Sequence, residues 1–238
     1  MYQDLVNSSL YFQSLEIILL TDQDFEPNNE STRRNIRFKK IFKEYPDWVT
    51  ATLMRYEALS DYAFEITNQK VFWIDADMRI LNFKQFSEEV GAANVLTFAR
   101  HPGYLNPINR NFLRRLKQNI KKHGLLKIRR IVNEIQIFDG TWEDNKNSTA
   151  YVQTRARKKY VHGAFWGGPV DDVLRMAKDL NSKIKFDLEK NYIAVWHDES
   201  HLNQYHSCLK NRKYFSRSFS GADKLSKFHR SVIWSIQK

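Results

Sequence analysis

Apolar residues along the chain follow two rhythms. Short unbroken runs, SLEIILLTD (Ser14–Asp22), KVFWIDADM (Lys70–Met78), NVLTFA (Asn94–Ala99) and YIAVW (Tyr192–Trp196), are too short for helices and rich in β-branched or aromatic residues, so they predict four buried strands. A three-to-four spacing takes over between them. Trp48, Leu53, Tyr56, Leu59 and Tyr62 predict a helix from Asp47, a suitable N-cap, to about Ala63; Val170, Val173, Leu174 and Ala177 predict a second over Pro169–Leu180. Strands alternating with helices predict an α/β domain, a sheet flanked by helices. The polar loops Glu26–Arg34 and Asp139–Ser148 are too short for interdomain linkers and no repeat is visible, so residues 1–238 read as one domain.

Composition bounds this picture. With 42% hydrophobic and 27% charged residues, and only 8 Gly and 5 Pro in 238, the chain is neither fibrous nor disordered and is long enough to bury a core. Cys208 is the single cysteine, which excludes an intrachain disulfide and any cysteine-built zinc site. No apolar run approaches the ~18 residues of a membrane span, and the first residues lack a basic-then-apolar leader. The expected location is cytoplasmic or peripheral to a membrane.

The net charge of +11 is unevenly placed: nine Lys or Arg and no acid lie between Arg110 and Arg130. Within that segment Phe112, Leu113, Leu116 and Ile120 share one helical face, which describes a solvated surface helix, one that binds phosphates or one that contacts an anionic membrane. Phe112 is its only aromatic, so it lacks the stacking ladder of a single-strand binder, and nucleic acid is not an expected partner.

Three motifs concentrate chemistry. Asp75-Ala76-Asp77 follows the apolar strand Val71–Ile74; in extended chain the two carboxylates would share a side and could hold one hard divalent cation. Taken alone, Asp-x-Asp is weak, and Asp22-Gln23-Asp24 is a second copy. The run Trp196-His197-Asp198-Glu199-Ser200-His201-Leu202-Asn203 gathers groups able to ligate metal, bind hydroxyls or attack an electrophile, or is simply an N-capped helix with an exposed polar face. His162-Gly163-Ala164-Phe165-Trp166-Gly167-Gly168 combines small residues and aromatics suited to a sugar face, or forms a tight turn between strand and helix.

With AVWHDESHLNQY (Ala194–Tyr205), HGAFWGG (His162–Gly168), IDADM (Ile74–Met78), DWVTATLMR (ending at Arg55) and HPGY (His101–Tyr104), the chain resembles glycosyltransferase family 6, the family of the blood-group A and B transferases. The resemblance implies a GT-A fold and retaining, α-1,3-linking transfer of galactose or N-acetylgalactosamine from a UDP-sugar to a glycan acceptor, which could be lipid-linked. It implies Mn²⁺ at Asp75 and Asp77; Glu199 at the reacting face; Trp48 and Arg55 over the nucleotide sugar; and Trp196, His197, Asp198 and the triplet His162, Gly163, Ala164 as donor or acceptor contacts. His101 is expected only to lie near the site. Ala164 and His162 lean toward galactose.

Departures accompany the likeness. The opening MYQDLVNSSLYF aligns to the helix after the family's first strand, so that strand is expected to be absent. Residues about 106–139 read as a basic insertion, and Lys213–Lys238 shows no evident counterpart. The rival expectation is a non-catalytic carbohydrate-binding remnant of the same fold.

Overall fold

The computed structural model describes residues 1–24, 35–104, 140–157, 159–222 and 231–235. The basic segment Arg110–Arg130 therefore lies outside the described residues. The elements run α1 (Tyr2–Ser8), β1 (Leu15–Thr21), β2 (Ile36–Phe42), α2 (Trp48–Leu53), α3 (Arg55–Asp61), β3 (Lys70–Ile74), β4 (Met78–Ile80), α4 (Phe83–Gly91), β5 (Thr97–Arg100), β6 (Val161–Pro169), α5 (Val170–Glu189), α6 (His197–Cys208), β7 (Lys213–Tyr214), β8 (Gly221–Ala222) and β9 (Ile233–Ser235).

The fold is mixed α/β, as expected. Its central sheet has the order β3-β6-β5-β7; β6 runs antiparallel to both neighbours, while β5 and β7 are parallel. A parallel pair β1-β2 and a small sheet β4-β9-β8 stand apart from it. Helices cover both faces of the central sheet. One apolar cluster joins Trp166 and Phe98 to Tyr56 of α3, to Val173, Met176, Leu180 and Ile184 of α5, and to Leu202 of α6. A second, on the opposite face, joins Phe165 and Ala99 to Phe86 and Val90 of α4, with Phe215, Phe219 and Ile233. Phe165 and Trp166 are successive residues, so β6 has a core on each side, which is why its sequence shows no alternation.

Local chemistry sets the boundaries. The Asp47 carboxylate caps α2 by accepting from the Thr50 N–H at 2.7 Å, as its sequence position predicts. The single helix expected from Asp47 to Ala63 is in fact two, because Met54 leaves helical geometry (φ −82°, ψ 0°), and the break starts α3 at Arg55. Asp171 and Asp172 in the first turn of α5 suit the positive end of its dipole, and the buried stripe Val173, Met176, Ala177, Leu180, Ile184 carries that helix beyond Leu180 to Glu189. The HGAFWGG run is neither a loop nor a turn but the centre of β6. Gly167 suits it because a Cβ there would fall 2.3 Å from the Val71 carbonyl of β3.

YIAVW is not a strand. Only Ala194 of its apolar residues is buried, whereas Ile193, Val195 and Trp196 are about half exposed. Its backbone is held by turns and a carboxylate instead of a ladder: Tyr192 N–H donates to Asp187 O, Val195 N–H to Glu143 Oε2 and His197 N–H to Ala194 O. No described helix is long and apolar enough to cross a membrane.

Candidate active site

Arg55 opens α3 and points inward, almost fully buried. Its Nη1 donates to the Gly163 carbonyl at 2.9 Å and lies 3.3 Å from Asp75 Oδ1; its Nε donates to Thr52 O at 3.1 Å and lies 3.3 Å from Asp198 Oδ2. The Arg55–Asp198 contact is an attraction of charges without an aligned hydrogen bond, since Asp198 Oδ2 has no hydrogen-bond partner. The guanidinium also sits 5.0 Å from the Trp73 ring centre, and the Trp73 indole donates to Asp75 Oδ1 at 2.6 Å. The carboxylates raise the Arg55 pKa despite its burial. One arginine thus ties α3, the end of β3, the first turn of α6 and the middle of β6 into a single node.

Asp75 and Asp77 do not lie in extended chain. Residues 75–77 form a turn from β3 into β4, closed by Met78 N–H to Asp75 O at 3.1 Å, while Asp75 N–H donates to Ala164 O at 3.0 Å. Strand alternation therefore does not set these two carboxylates on one side. Its replacement is a reversal that leaves Asp77 exposed beside the half-buried Asp75. Asp75 Oδ1 is committed to Arg55 and Trp73, so a hard cation at this turn would have to be met by Asp75 Oδ2 and the Asp77 carboxylate.

Helix α6 is unlike an ordinary surface helix. Asp198, Ser200, His201, Leu202, Asn203 and His206 are all buried, so the exposed polar face considered above is absent. His197 enters it with φ 42°, in the left-handed region that bulky residues avoid, while Ser200 Oγ accepts from Trp196 N–H at 2.9 Å. This entry directs Asp198 and Glu199 at β6. Glu199 Oε2 accepts from Gly163 N–H at 2.7 Å. A Cβ on residue 163 would stand 3.3 Å from both Glu199 Oε2 and Asp198 Oδ2, so glycine is what lets two carboxylates crowd this strand. Burial drives Glu199 up to about 8, only partly countered by the Gly163 N–H, and drives Asp198 up to about 6 against the pull of Arg55.

Beside Glu199 lies an aromatic-lined pair of imidazoles. His101 and His162 meet edge to face with ring centres 5.1 Å apart, flanked by Tyr104 and Tyr160. Burial lowers His101 to about 3 and His162 to about 4, with mutual repulsion adding to the first and Arg55 to the second, so both are neutral at pH 7. One ligand atom each from His101, His162 and Glu199 lies within 4.8 Å of the others, a second place where a cation could be held. Gly103 N–H donates to His101 Nδ1 at 3.1 Å, which leaves the proton of neutral His101 on Nε2 and suits that nitrogen to donate rather than ligate. The Tyr160 hydroxyl, buried and next to Glu199, has no partner in aligned hydrogen-bond geometry.

Trp48 and Trp196 form the outer rim. Trp48 is 65% exposed and meets the His197 ring edge to face at 5.2 Å; Trp196 is 47% exposed. Ala164 joins the second apolar cluster with its side chain and reaches the site through its carbonyl on Asp75. The structure thus brings together Arg55, Asp75, His162, Gly163, Asp198 and Glu199, leaves Trp48, Asp77, Trp196 and His197 around them, and turns Ala164 toward the core.

Several supporting residues escaped the sequence reading. Asn203 donates to Val161 O at 3.0 Å and to Glu199 O at 2.9 Å while its Oδ1 accepts from Val161 N–H at 2.8 Å, fixing α6 to β6. Glu143, buried, accepts from Val195 and Asn145 N–H groups, and Asp187 accepts from Ser148 Oγ and Thr149 N–H. His201 lies 3.8 Å from Asp187, but burial lowers it to about 4, so the contact joins a neutral ring to a carboxylate. Trp73 and Asn203 lay within quoted motifs; Glu143 and Asp187 carried no local signal.

The sequence is similar to known proteins. The family model of glycosyltransferase family 6 matches residues 127–234, a span that holds β6, α6, Gly163, Asp198 and Glu199. The chain is related to glycosyltransferase family 6. It is 26% identical over 188 residues to histo-blood group ABO system transferase 1 of Rattus norvegicus, covering 77% of this chain and 44% of that protein. It is 28% identical over 160 residues to O-antigen biosynthesis glycosyltransferase WbnI of Escherichia coli (67% and 56%), and 25% over 188 residues to globoside alpha-1,3-N-acetylgalactosaminyltransferase 1 of Gallus gallus (78% and 46%). The chain spans about half the length of these curated relatives. The family 6 match also continues past Tyr205 to residue 234, so the segment from Lys213, expected to have no counterpart, belongs to it.

Proposed function

We propose that the protein is a retaining glycosyltransferase of GT-A type that takes galactose, or N-acetylgalactosamine, from a UDP-sugar and places it in α-1,3 linkage on a glycan acceptor. The observation that carries the reading is the node itself: three carboxylates, Asp75, Asp198 and Glu199, gathered around one buried Arg55 against the open backbone of Gly163. Buried acids in such excess over bases are unstable in the empty fold, and their use is to meet positive charge that arrives or develops.

In this reading Glu199 faces the anomeric carbon, where the transition state acquires oxocarbenium character, and its carboxylate stabilises that charge or forms the transient bond of a double displacement. Asp198, beside Arg55, binds donor hydroxyls; neutral His162 and His101 and the Tyr160 hydroxyl supply further hydrogen-bond groups near the transferred sugar. Trp48 and Trp196 offer ring faces to the donor and acceptor. Oxygens of Asp75 and Asp77 fit a hard divalent cation, Mn²⁺ by family likeness, and that ion when bound would supply charge to the departing diphosphate. Arg55, already neutralised by Asp75 and Asp198, positions these acids rather than gripping phosphate directly. Residues 1–238 are read as a single catalytic domain, and the family 6 match begins at residue 127, within the segment of about 106–139 expected to be a basic insertion.

The test is transfer from UDP-galactose and UDP-N-acetylgalactosamine to galactose-terminated acceptors, with UDP binding measured by calorimetry with and without Mn²⁺. Glu199→Gln should lower turnover about a hundredfold or more while UDP binding persists. Binding of glycan with no transfer and no UDP affinity would instead identify a carbohydrate-binding remnant.

A further inference from the structure

Three of the exposed large apolar residues fall within four positions: Ile193 (49% exposed), Val195 (50%) and Trp196 (47%). Single apolar residues on a surface need no explanation, but a group of them beside a site does. A loose loop could fold such residues away, and this segment is not loose. Four N–H groups fix it, each at 2.9 Å: Tyr192 donates to Asp187 O, Val195 to Glu143 Oε2, Trp196 to Ser200 Oγ and His197 to Ala194 O. Asp187, Glu143, Ser200 and Ala194 are all buried. Ala194 turns inward between Ile193 and Val195, so the anchored backbone holds those two side chains out in solvent.

The segment leads straight into the candidate site. Trp196 precedes α6, the His197 ring meets Trp48 edge to face, and Glu199 follows two residues later with its carboxylate on Gly163 N–H. Along this stretch the side-chain chemistry changes in order: a carboxylate at Glu199, an indole at Trp196, aliphatic groups at Val195 and Ile193. An indole face suits the C–H surface of a sugar ring. Isoleucine and valine have neither a π face nor a hydrogen-bonding group, so they cannot read the hydroxyls of a sugar; what they match is hydrocarbon.

We infer that the acceptor carries a hydrocarbon group beside its sugar, and that Ile193 and Val195 form the shelf on which that group lies. The substrate class is an amphiphilic glycoside, a hydroxyl-bearing saccharide joined to an alkyl or polyprenyl chain. The inference rests on the proposed transferase reading and names the acceptor class that this reading leaves general. A purely saccharide acceptor would leave both aliphatic side chains in water, and docking on a bilayer would need no sugar. A methylene buried on all sides is worth about fourfold in binding; a shelf covers one side of a chain, so each methylene contributes about twofold until both side chains are covered.

The experiment uses the full chain with UDP-galactose and Mn²⁺ and compares methyl and hexyl β-lactoside as acceptors, both far below micelle formation. KM should be about tenfold or more lower for the hexyl lactoside, and calorimetry of the two lactosides in the presence of UDP should give the same ratio of Kd. The double variant Ile193→Asn, Val195→Asn should bring both ratios to about one. Phe64→Asn, which removes an aromatic residue 82% exposed outside this segment, should keep them. No transfer to either lactoside would count against the transferase reading, while the calorimetric ratio still decides the shelf. Equal KM and Kd for the two lactosides, ratios unchanged in the double variant, or ratios lost in Phe64→Asn would each overturn it. So would a ratio that appears only when phosphatidylcholine vesicles are added, which would make the segment a bilayer contact instead.

Discussion

Replacing Glu199 by Gln should make the protein more stable, increasingly so as pH rises. The carboxyl is buried against Gly163 N–H and Asp198, and its pKa is driven from an ordinary 4.5 up to about 8. Between those values the folded state keeps a proton that the unfolded state has released, so stability falls as pH rises, by as much as ~1.4 kcal/mol per pH unit, and levels off above about 8. Glutamine preserves the shape and can still accept from Gly163 N–H, yet has nothing to ionise. The gap between Glu199→Gln and the parent should therefore widen by about 3 kcal/mol between pH 5 and pH 8. Urea denaturation followed by tryptophan fluorescence at each pH measures it. Asp198→Asn serves as a control whose gap should stop growing near pH 6, since Asp198 is raised only that far. Parallel stability curves for Glu199→Gln and parent, or a gap that narrows with pH, would refute the claim that this carboxyl is held by burial in a site built for positive charge.

The same site yields other expectations. Asp77→Asn should remove most transfer at limiting Mn²⁺ and leave the melting temperature within a degree or two, because Asp77 is exposed; equal activity in EDTA and in Mn²⁺ would exclude the metal role. Gly163→Ala should cost about 1 kcal/mol or so of stability yet reduce turnover much more, since a methyl 3.3 Å from two carboxylate oxygens must displace them; the comparison is urea titration against kcat. Trp166→Ala, emptying the centre of the first apolar cluster, should cost about 3–5 kcal/mol. Ala164→Gly, which removes a methyl that faces the second apolar cluster, should lower stability by about 1 kcal/mol and leave the ratio of kcat/KM for the two UDP-sugars unchanged; a shift toward N-acetylgalactosamine would show that this methyl bounds the donor pocket after all.

Buried strands and capped helices were legible where the local pattern had a single physical reading: β1 from its apolar run, α2 from Asp47, α5 from its stripe. β6 was hidden by its own glycines. A strand covered on both faces loses the alternation that reveals strands, and Gly163 and Gly167, required by approaching carboxylates and by the Val71 carbonyl, look like turn residues when read alone. YIAVW misled for the opposite reason, because its run of apolar residues is exposed at the rim of the site instead of paired. The carboxylates and Arg55 were legible as chemistry, but their convergence was not, since it depends on α3, β3 and α6 meeting across the sheet. Glu143 and Asp187 act through a few hydrogen bonds to distant segments that leave no periodic trace.

Asn203 acts as a length gauge. Its amide presents one donor and one acceptor to Val161, as a residue of a neighbouring strand would, and the same nitrogen holds the Glu199 carbonyl one turn earlier in α6. The height of the Glu199 carboxylate above β6 is thus fixed by one short, rigid side chain instead of by helix packing alone. Aspartate, though the same size, would set a carboxylate oxygen against the Val161 carbonyl, and glutamine would lift the helix by a methylene, so neither neighbour in chemical space reproduces the fit. The reach of the Glu199 carboxylate is therefore heritable at a residue whose own amide is spent on the backbone.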